Sequence, residues 1–261
     1  MRHQPLLAKI AAIAFVIGAA IALTASAGTR LHLFSQDTGI QVLIPGLAIG
    51  LIALGCGGAW IWRALALNNS QGWKIGTFGL IGSLILIGIP ASYLWRAQTL
   101  PPIHDISTDI GDAPAFVALL AQRKGAPNPA SYDGPVVITY QGEKMTTALA
   151  QKNAWQDIKP LERLAGTVPQ HEFVSRYFWR ALNAVNGLGW KVAAFDPKSG
   201  RIEATSETLW FGTVSDIVIR VRPAGKIGVR VDIRAKSRSG VSDAGRNAEL
   251  VKDFLARENG H

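Results

Sequence analysis

Three long apolar stretches dominate the first third of this 261-residue chain. They run from about Ile10 to Ala27, from about Ile40 to Trp62 and from about Trp73 to Trp95, with Lys74 the single charge inside those limits. A hydrocarbon core about 30 Å thick needs ~20 apolar residues in a helix that rises about 1.5 Å per residue. Residues 1–98 therefore read as a transmembrane region of three helices, and the lipid bilayer as its first partner. Gly46, Gly50 and Gly57 in the second stretch, with Gly76, Gly79 and Gly82 in the third, suit close helix contact in lipid. Trp60, Trp62, Trp73, Tyr93 and Trp95 gather near the ends, where amphipathic rings settle at the membrane interface.

The first stretch is open to two readings. Arg2 and Lys9 precede it, and Ala25-Ser26-Ala27 stands before Gly28, which is the pattern of a cleavable signal peptide. The apolar run exceeds the usual ~7–15 residues of a signal peptide, which favours a retained helix. Orientation follows from the short flanks. Arg2 and Lys9 lie at the start and Arg63 and Lys74 between the second and third stretches, whereas Arg30 faces Asp37 between the first and second. The positive-inside rule then puts the start and the second connection in the cytoplasm. Under either reading of the first stretch, everything after Trp95 is expected outside, the periplasm if the membrane is a bacterial inner membrane.

Only 17% of residues are charged, against ~25% in an average soluble domain. The net charge of +9 divides almost evenly between the short membrane flanks and the remainder. What falls on the C-terminal part is far from a nucleic-acid-binding signature, so no nucleic-acid partner is expected. The single cysteine, Cys56, has no internal partner for a disulfide and reads as an inert core residue.

Residues 99–132 read as a linker. Leu100-Pro101-Pro102 cannot continue a helix, and a short helix through Phe116, Leu119 and Leu120 could be capped by Asp112 with Pro114 in its first turn. Residues 133–261 read as an extracytoplasmic α+β domain. Phe173, Tyr177, Phe178, Ala181, Leu182 and Val185 recur at helical spacing between Pro169 and Gly187. The period then changes to two. Trp190 to Ala194, Ile202 to Thr208, Ile217 to Val221 and Val229 to Ala235 alternate, with Asp196-Pro197-Lys198-Ser199-Gly200 and Pro223-Ala224-Gly225-Lys226 as turns. A last helix starts near Ser242 or Asp243 and buries Ala244, Ala248, Val251 and Leu255. The fold class is thus a three-helix membrane region followed by an antiparallel sheet whose dry face is covered by helices.

The other face of the sheet is predicted to be wet. It presents Arg220, Arg222, Arg230, Arg234, Lys236 and Arg238 among Glu203, Glu207 and Asp232. A solvated face with cross-strand ion pairs explains it; a site for an anionic lipid headgroup, cell-wall polymer or acidic envelope protein is the functional alternative. His104, Asp105 and Asp109 supply imidazole and carboxylates, the donor types of a metal-assisted hydrolase. No second His or Cys stands at ligand spacing, and His171-Glu172 is followed by Ser175 where a zinc-protease helix needs His, so no metal site is assigned. Gly-x-Ser-x-Gly, phosphate-loop, dinucleotide and Cys-x-x-Cys motifs are absent, so no cofactor is expected. Trp155, Trp179, Trp190 and Trp210 are candidates for a ligand pocket or a core, and Trp210-Phe211-Gly212, between two strands, is the best single spot for a binding contact.

Several blocks resemble the domain-of-unknown-function 1499 family. They are Pro102-Ile103-His104-Asp105-Ile106-Ser107-Thr108-Asp109, Trp155-Gln156-Asp157-Ile158-Lys159-Pro160-Leu161, Ile202-Glu203-Ala204-Thr205, Leu209-Trp210-Phe211-Gly212, Asp216-Ile217-Val218-Ile219-Arg220-Val221, Arg230-Val231-Asp232-Ile233-Arg234 and Ser237-Arg238-Ser239-Gly240-Val241-Ser242-Asp243-Ala244-Gly245. The resemblance covers about residues 100–257 and implies a bacterial envelope protein, often with preceding membrane helices, and no assigned reaction. Some members open the domain with cysteines; His104-Asp105 stands there instead, which puts a thiol-based role out of reach. The first expectation is a non-enzymatic inner-membrane protein whose external domain binds a partner, lipid or envelope component. The alternatives are an envelope enzyme using His104, Asp105 and Asp109, and a structural subunit assembled through its glycine-rich helices.

Overall fold

The computed structural model describes residues 6–68 and 71–259. Arg2 of the basic start lies outside the described residues. The chain divides into two compact units, Met1–Trp95 with Thr208–Gly212, and Arg96–Glu207 with Thr213–His261.

The three apolar stretches form α1 (Leu6–Arg30), α2 (Gln36–Ala66) and α3 (Trp73–Thr99), each long and apolar enough to cross a membrane. All three outrun the apolar stretches themselves. Ser35 extends α2 by accepting a hydrogen bond from the Thr38 backbone N–H. Arg30, Arg63 and Arg96 sit in last turns, where cations complement the helix dipole. Pro45 and Pro90 are carried inside α2 and α3. The glycines mark the closest approaches. A Cβ on Gly18 of α1 would lie 2.8 Å from the Gly46 carbonyl oxygen of α2, and one on Gly79 of α3 would lie 2.6 Å from the Ala11 backbone. Large apolar side chains such as Ile13, Leu51 and Ile85 point outward, as compatibility with a bilayer requires. Cys56 is half-buried rather than interior. α1 runs unbroken through Ala25-Ser26-Ala27, with Ala25 and Ser26 buried.

The second unit holds an antiparallel sheet in the order β1-β8-β7-β6-β5, from β1 (Asp105–Ser107), β5 (Lys191–Asp196), β6 (Arg201–Glu207), β7 (Val214–Ala224) and β8 (Gly228–Ser237). A further strand, β4 (Leu161–Leu164), pairs with the start of β8, so β1 and β4 lie along the same side of that strand. A separate hairpin joins β2 (Val137–Tyr140) to β3 (Glu143–Thr146) and leads into α4 (Thr147–Ala154). Its two-residue turn needs positive φ at both positions; Gln141 has φ 51° and Gly142 has φ 83°.

The meander forms as the alternation predicts. Ile202, Ala204, Ile217, Ile219, Val221, Val229, Val231, Ile233 and Ala235 share one core with α5 (Gln170–Gly187) and α6 (Arg246–Asn259), which contribute Phe178, Val185, Val251 and Phe254. Two features differ from the sequence expectation. Residues 99–132 are more than a connector: β1 joins the sheet, and Thr108 donates its N–H to the Ile233 carbonyl at 2.9 Å. The short helix there is a single 3₁₀ turn, Ala118–Leu120, and Asp112 is not its cap. Glu203 of β6 accepts the N–H groups of Val117, Ala118 and Leu119 at 2.9–3.0 Å instead. A buried carboxylate satisfies three otherwise unpaired donors at once, which a surface Asp112 cannot do.

Candidate functional site

Residues 105–133 bring the carbonyls and acids that meet the charged face of the sheet. This is why β8 is buried almost throughout, although Arg234 and Lys236 project from it. The expected wet face is therefore largely dry, and three ionic clusters make that possible.

The first centres on Asp105. Arg234 grips it with two hydrogen bonds of 2.8 Å and sends its remaining donors to the carbonyls of Pro114, Ala130 and Ser131 at 2.8–3.2 Å. The guanidinium also lies over the rings of Phe116 and Tyr132, 4.9 and 5.2 Å from their centroids. Lys236, fully buried, bridges Asp133 at 2.7 Å and Asp105 at 3.4 Å. Asp133 in turn pairs with His104 Nε2 at 3.0 Å, while His104 Nδ1 meets the Val241 carbonyl at 3.0 Å. A carbonyl at Nδ1 requires a proton there, and a carboxylate at Nε2 favours a second. Burial opposes that charge, but the Asp133 hydrogen bond and the Val241 carbonyl outweigh it and raise the imidazole's pKa above its ordinary 6.5. Burial works against ionised Asp133 too; His104 and Lys236 nevertheless hold it below the usual carboxylate range. Tyr132 is pushed upward by burial and by the charge of Asp105.

The second cluster centres on fully buried Asp216, which takes Arg123 at 2.6 Å and Arg238 at 2.8 Å. The third surrounds fully buried Asp232 and the nearly buried Asp109. Arg230 reaches Asp109 at 2.6 Å and Asp232 at 2.8 Å; Arg220 and Arg222 reach Asp232 at 2.9 and 3.2 Å. Asp112 and Glu162, both well exposed, close the rim over Arg220, Arg222 and Arg230. Burial disfavours charge on Asp109, yet the Asp112 N–H and Arg230 keep its pKa low.

The sequence candidates thus separate. His104, Asp105 and Asp109 answer to Asp133, Arg234 and Arg230 respectively and do not converge on one open point. Among the described residues no three His, Cys, Asp or Glu side chains form a group that could hold a metal ion. Arg220, Arg222 and Arg230 come together, partly exposed, whereas Arg234 lies buried in the first cluster. The tryptophans scatter. Trp190 stacks on Phe254 inside the core, Trp155 packs at the core's margin, and Trp179 meets Phe195 edge-on near the surface. Trp210 belongs to the first unit, where its carbonyl accepts the Ser26 hydroxyl and the neighbouring Leu209 carbonyl accepts Arg30 at 2.6 Å.

Arg123, Asp133 and Asp216 were not singled out from the sequence. Asp216 had a visible signal: it shares the period-two face of Arg220 and Arg222 and stands directly opposite Lys236. Arg123 and Asp133 had none, because they lie outside regular strands.

No curated protein matches the chain. The model of one family, described as a protein of unknown function (DUF1499), matches residues 105–257, which takes in the covering segment, the sheet and both long helices. The chain belongs to that family.

Proposed function

We propose that this is a multi-pass protein of a bacterial inner membrane whose α+β domain lies on the extracytoplasmic side and works by binding an envelope component, a protein or an anionic lipid, rather than by catalysis. The observation that supports it most is the separation of His104, Asp105 and Asp109 onto three different partners. A catalytic constellation needs its groups within reach of one reacting atom. Here each carboxylate neutralises a cation and holds residues 105–133 against the sheet. The arginines contribute to binding through their exposed rim, where Asp112 and Glu162 are the well-exposed counter-charges a stronger anion would displace. Lys9, Arg63 and Lys74 on one set of flanks support the orientation.

The test uses the full-length protein. Native mass spectrometry after gentle extraction is expected to show phospholipid or a co-purifying protein, unchanged in His104→Ala. A small extra mass lost in that variant would instead support the metal-assisted enzyme reading. For orientation, a membrane-impermeant maleimide applied to intact spheroplasts should label Lys198→Cys and spare Leu67→Cys, each made in a Cys56→Ala background. The reverse pattern would overturn the proposed side.

A further inference from the structure

A groove of about 440 Å³ lies between β4 and α6, away from the charged face. Pro160, Leu161, Leu255 and Ala256 contribute apolar walls. Lys159, Arg163 and Lys252 bring three cations to the lining against one acid, Asp157. Lys252 pairs with Asp157 at 2.7 Å, and both are well exposed, so the pair is readily exchanged. Lys159 is exposed and has no hydrogen bond or ion pair among the described residues. Glu162, next along β4, is turned to Arg230 on the opposite face, and Glu258 of α6 is turned to Arg180. The groove is therefore net positive.

Its wall is also a sheet edge. β4 pairs with β8 and with no other strand among the described residues. An edge strand offers unpaired backbone groups to any chain of matching direction. One of these is already in use: the Glu162 carbonyl accepts Arg163 Nη1 of its own strand at 2.9 Å, a flexible side chain in the place an incoming N–H would take.

We infer that this groove receives an extended acidic segment of a partner protein, added as a strand to the free edge of β4. Main-chain hydrogen bonds to β4 supply the pairing, and alternate side chains of the added strand enter the groove. Apolar side chains meet Leu161, Pro160 and Leu255, and acidic ones meet Lys159 and Lys252. The C-terminal carbonyls of α6 near Asn259 repel anions, so the acidic residues belong at the Lys159–Lys252 end. The inference rests on the reading of the domain as a binding module and names its surface and the chemistry of its partner.

The probe is a fluorescein-labelled peptide of three Val-Thr-Glu-Thr repeats, whose valines and glutamates share one face of the strand, titrated by anisotropy against the full-length protein in nanodiscs. Expected are saturable binding weakened at high salt, a loss of about tenfold in Lys159→Glu and a further loss in Lys252→Gln, both with unchanged melting temperature. The same peptide N-methylated at alternate residues should bind at least tenfold more weakly, because it cannot complete the ladder. The same peptide with lysine in place of glutamate should not bind. Equal affinity in the two variants, equal affinity of the N-methylated peptide, or no binding by the wild type would each overturn the assignment. Displacement of the peptide by anionic phospholipid vesicles at equal affinity would overturn it in favour of a lipid. If a protein still co-purifies when the peptide fails, the groove assignment falls and the binding-module reading stands.

Discussion

The two faces of one sheet are buried by opposite means. Beneath α5 and α6 the contacts are Ile, Val, Phe and Ala, and any apolar side chain of suitable shape could serve. Beneath residues 105–133 the contacts are guanidinium, ammonium and carboxylate, each charge paired with specific partners, although Arg123 Nε and the Tyr132 hydroxyl stay buried without a hydrogen bond. The first face gains free energy from removing apolar area from water. The second gains little net, because desolvating ions costs nearly what their attraction returns, but it tolerates no unpaired member. The lesson is one of specificity: the apolar face says that something must cover it, and the charged face says which segment, in which register.

Substitutions can break this comparison. Arg234→Ala should cost about 3–5 kcal/mol, since it leaves buried Asp105 with the more distant Lys236 as its counter-charge and the Asp133 N–H as its hydrogen bond. Phe254→Ala on the opposite face should cost a similar ~3–5 kcal/mol by leaving a cavity. The faces then part: Arg234→Met with Asp105→Leu should regain the share of the loss due to unpaired Asp105, as apolar groups replace a buried pair, while the Pro114 and Ala130 carbonyls stay without their donor. Denaturant unfolding of the full-length protein in detergent measures all three. A double variant no better than Arg234→Ala alone would show that the charged face stabilises the fold in its own right.

The seam where β1, β8 and α6 meet should carry a pH dependence of intermediate size. Burial pushes the Asp243 carboxyl up to about 6, against the Asn247 and Gly245 N–H groups that favour its charge. Its ordinary value is 3.8, so between the two the folded chain holds the extra proton. Stability should therefore rise by about 2 kcal/mol as pH falls through 6 towards 4, and be lost as pH rises again. His104, also raised, adds with the same sign at higher pH. Asp109 and Asp133 are lowered and reverse the slope as pH falls further. Asp243→Asn should flatten the window between 6 and 4; an unchanged slope would assign it to other groups.

Smaller effects sharpen the picture of the cover itself. Glu203→Gln keeps the shape but removes the charge that holds three N–H groups, and should cost about 1 kcal/mol. Amide exchange at Val117, Ala118 and Leu119 should accelerate while β8 stays protected; acceleration throughout β8 would show that cover and sheet open as one. Arg222→Ala should cost under ~1 kcal/mol, because its guanidinium is more than a third exposed and Arg220 and Arg230 still reach Asp232.

Much of this was legible in the residues. Length and apolarity mark the three membrane-capable helices, because a bilayer imposes a fixed span on any chain that crosses it. The change of period from 3.6 to two after Gly187 separates α5 from the meander, and the turn residues at 196–200 and 223–226 set the hairpins. Both signals are local: they arise from backbone geometry and from which side of an element meets water. What lay on the charged face was not local. Glu203 caps a turn more than eighty residues before it, Arg123 finds Asp216, and Asp133 joins His104 to Lys236. The pattern showed a row of ions and implied water over them. Only the tertiary structure could replace that water with residues 105–133, because whether an ion is solvated or paired depends on partners far away in the chain.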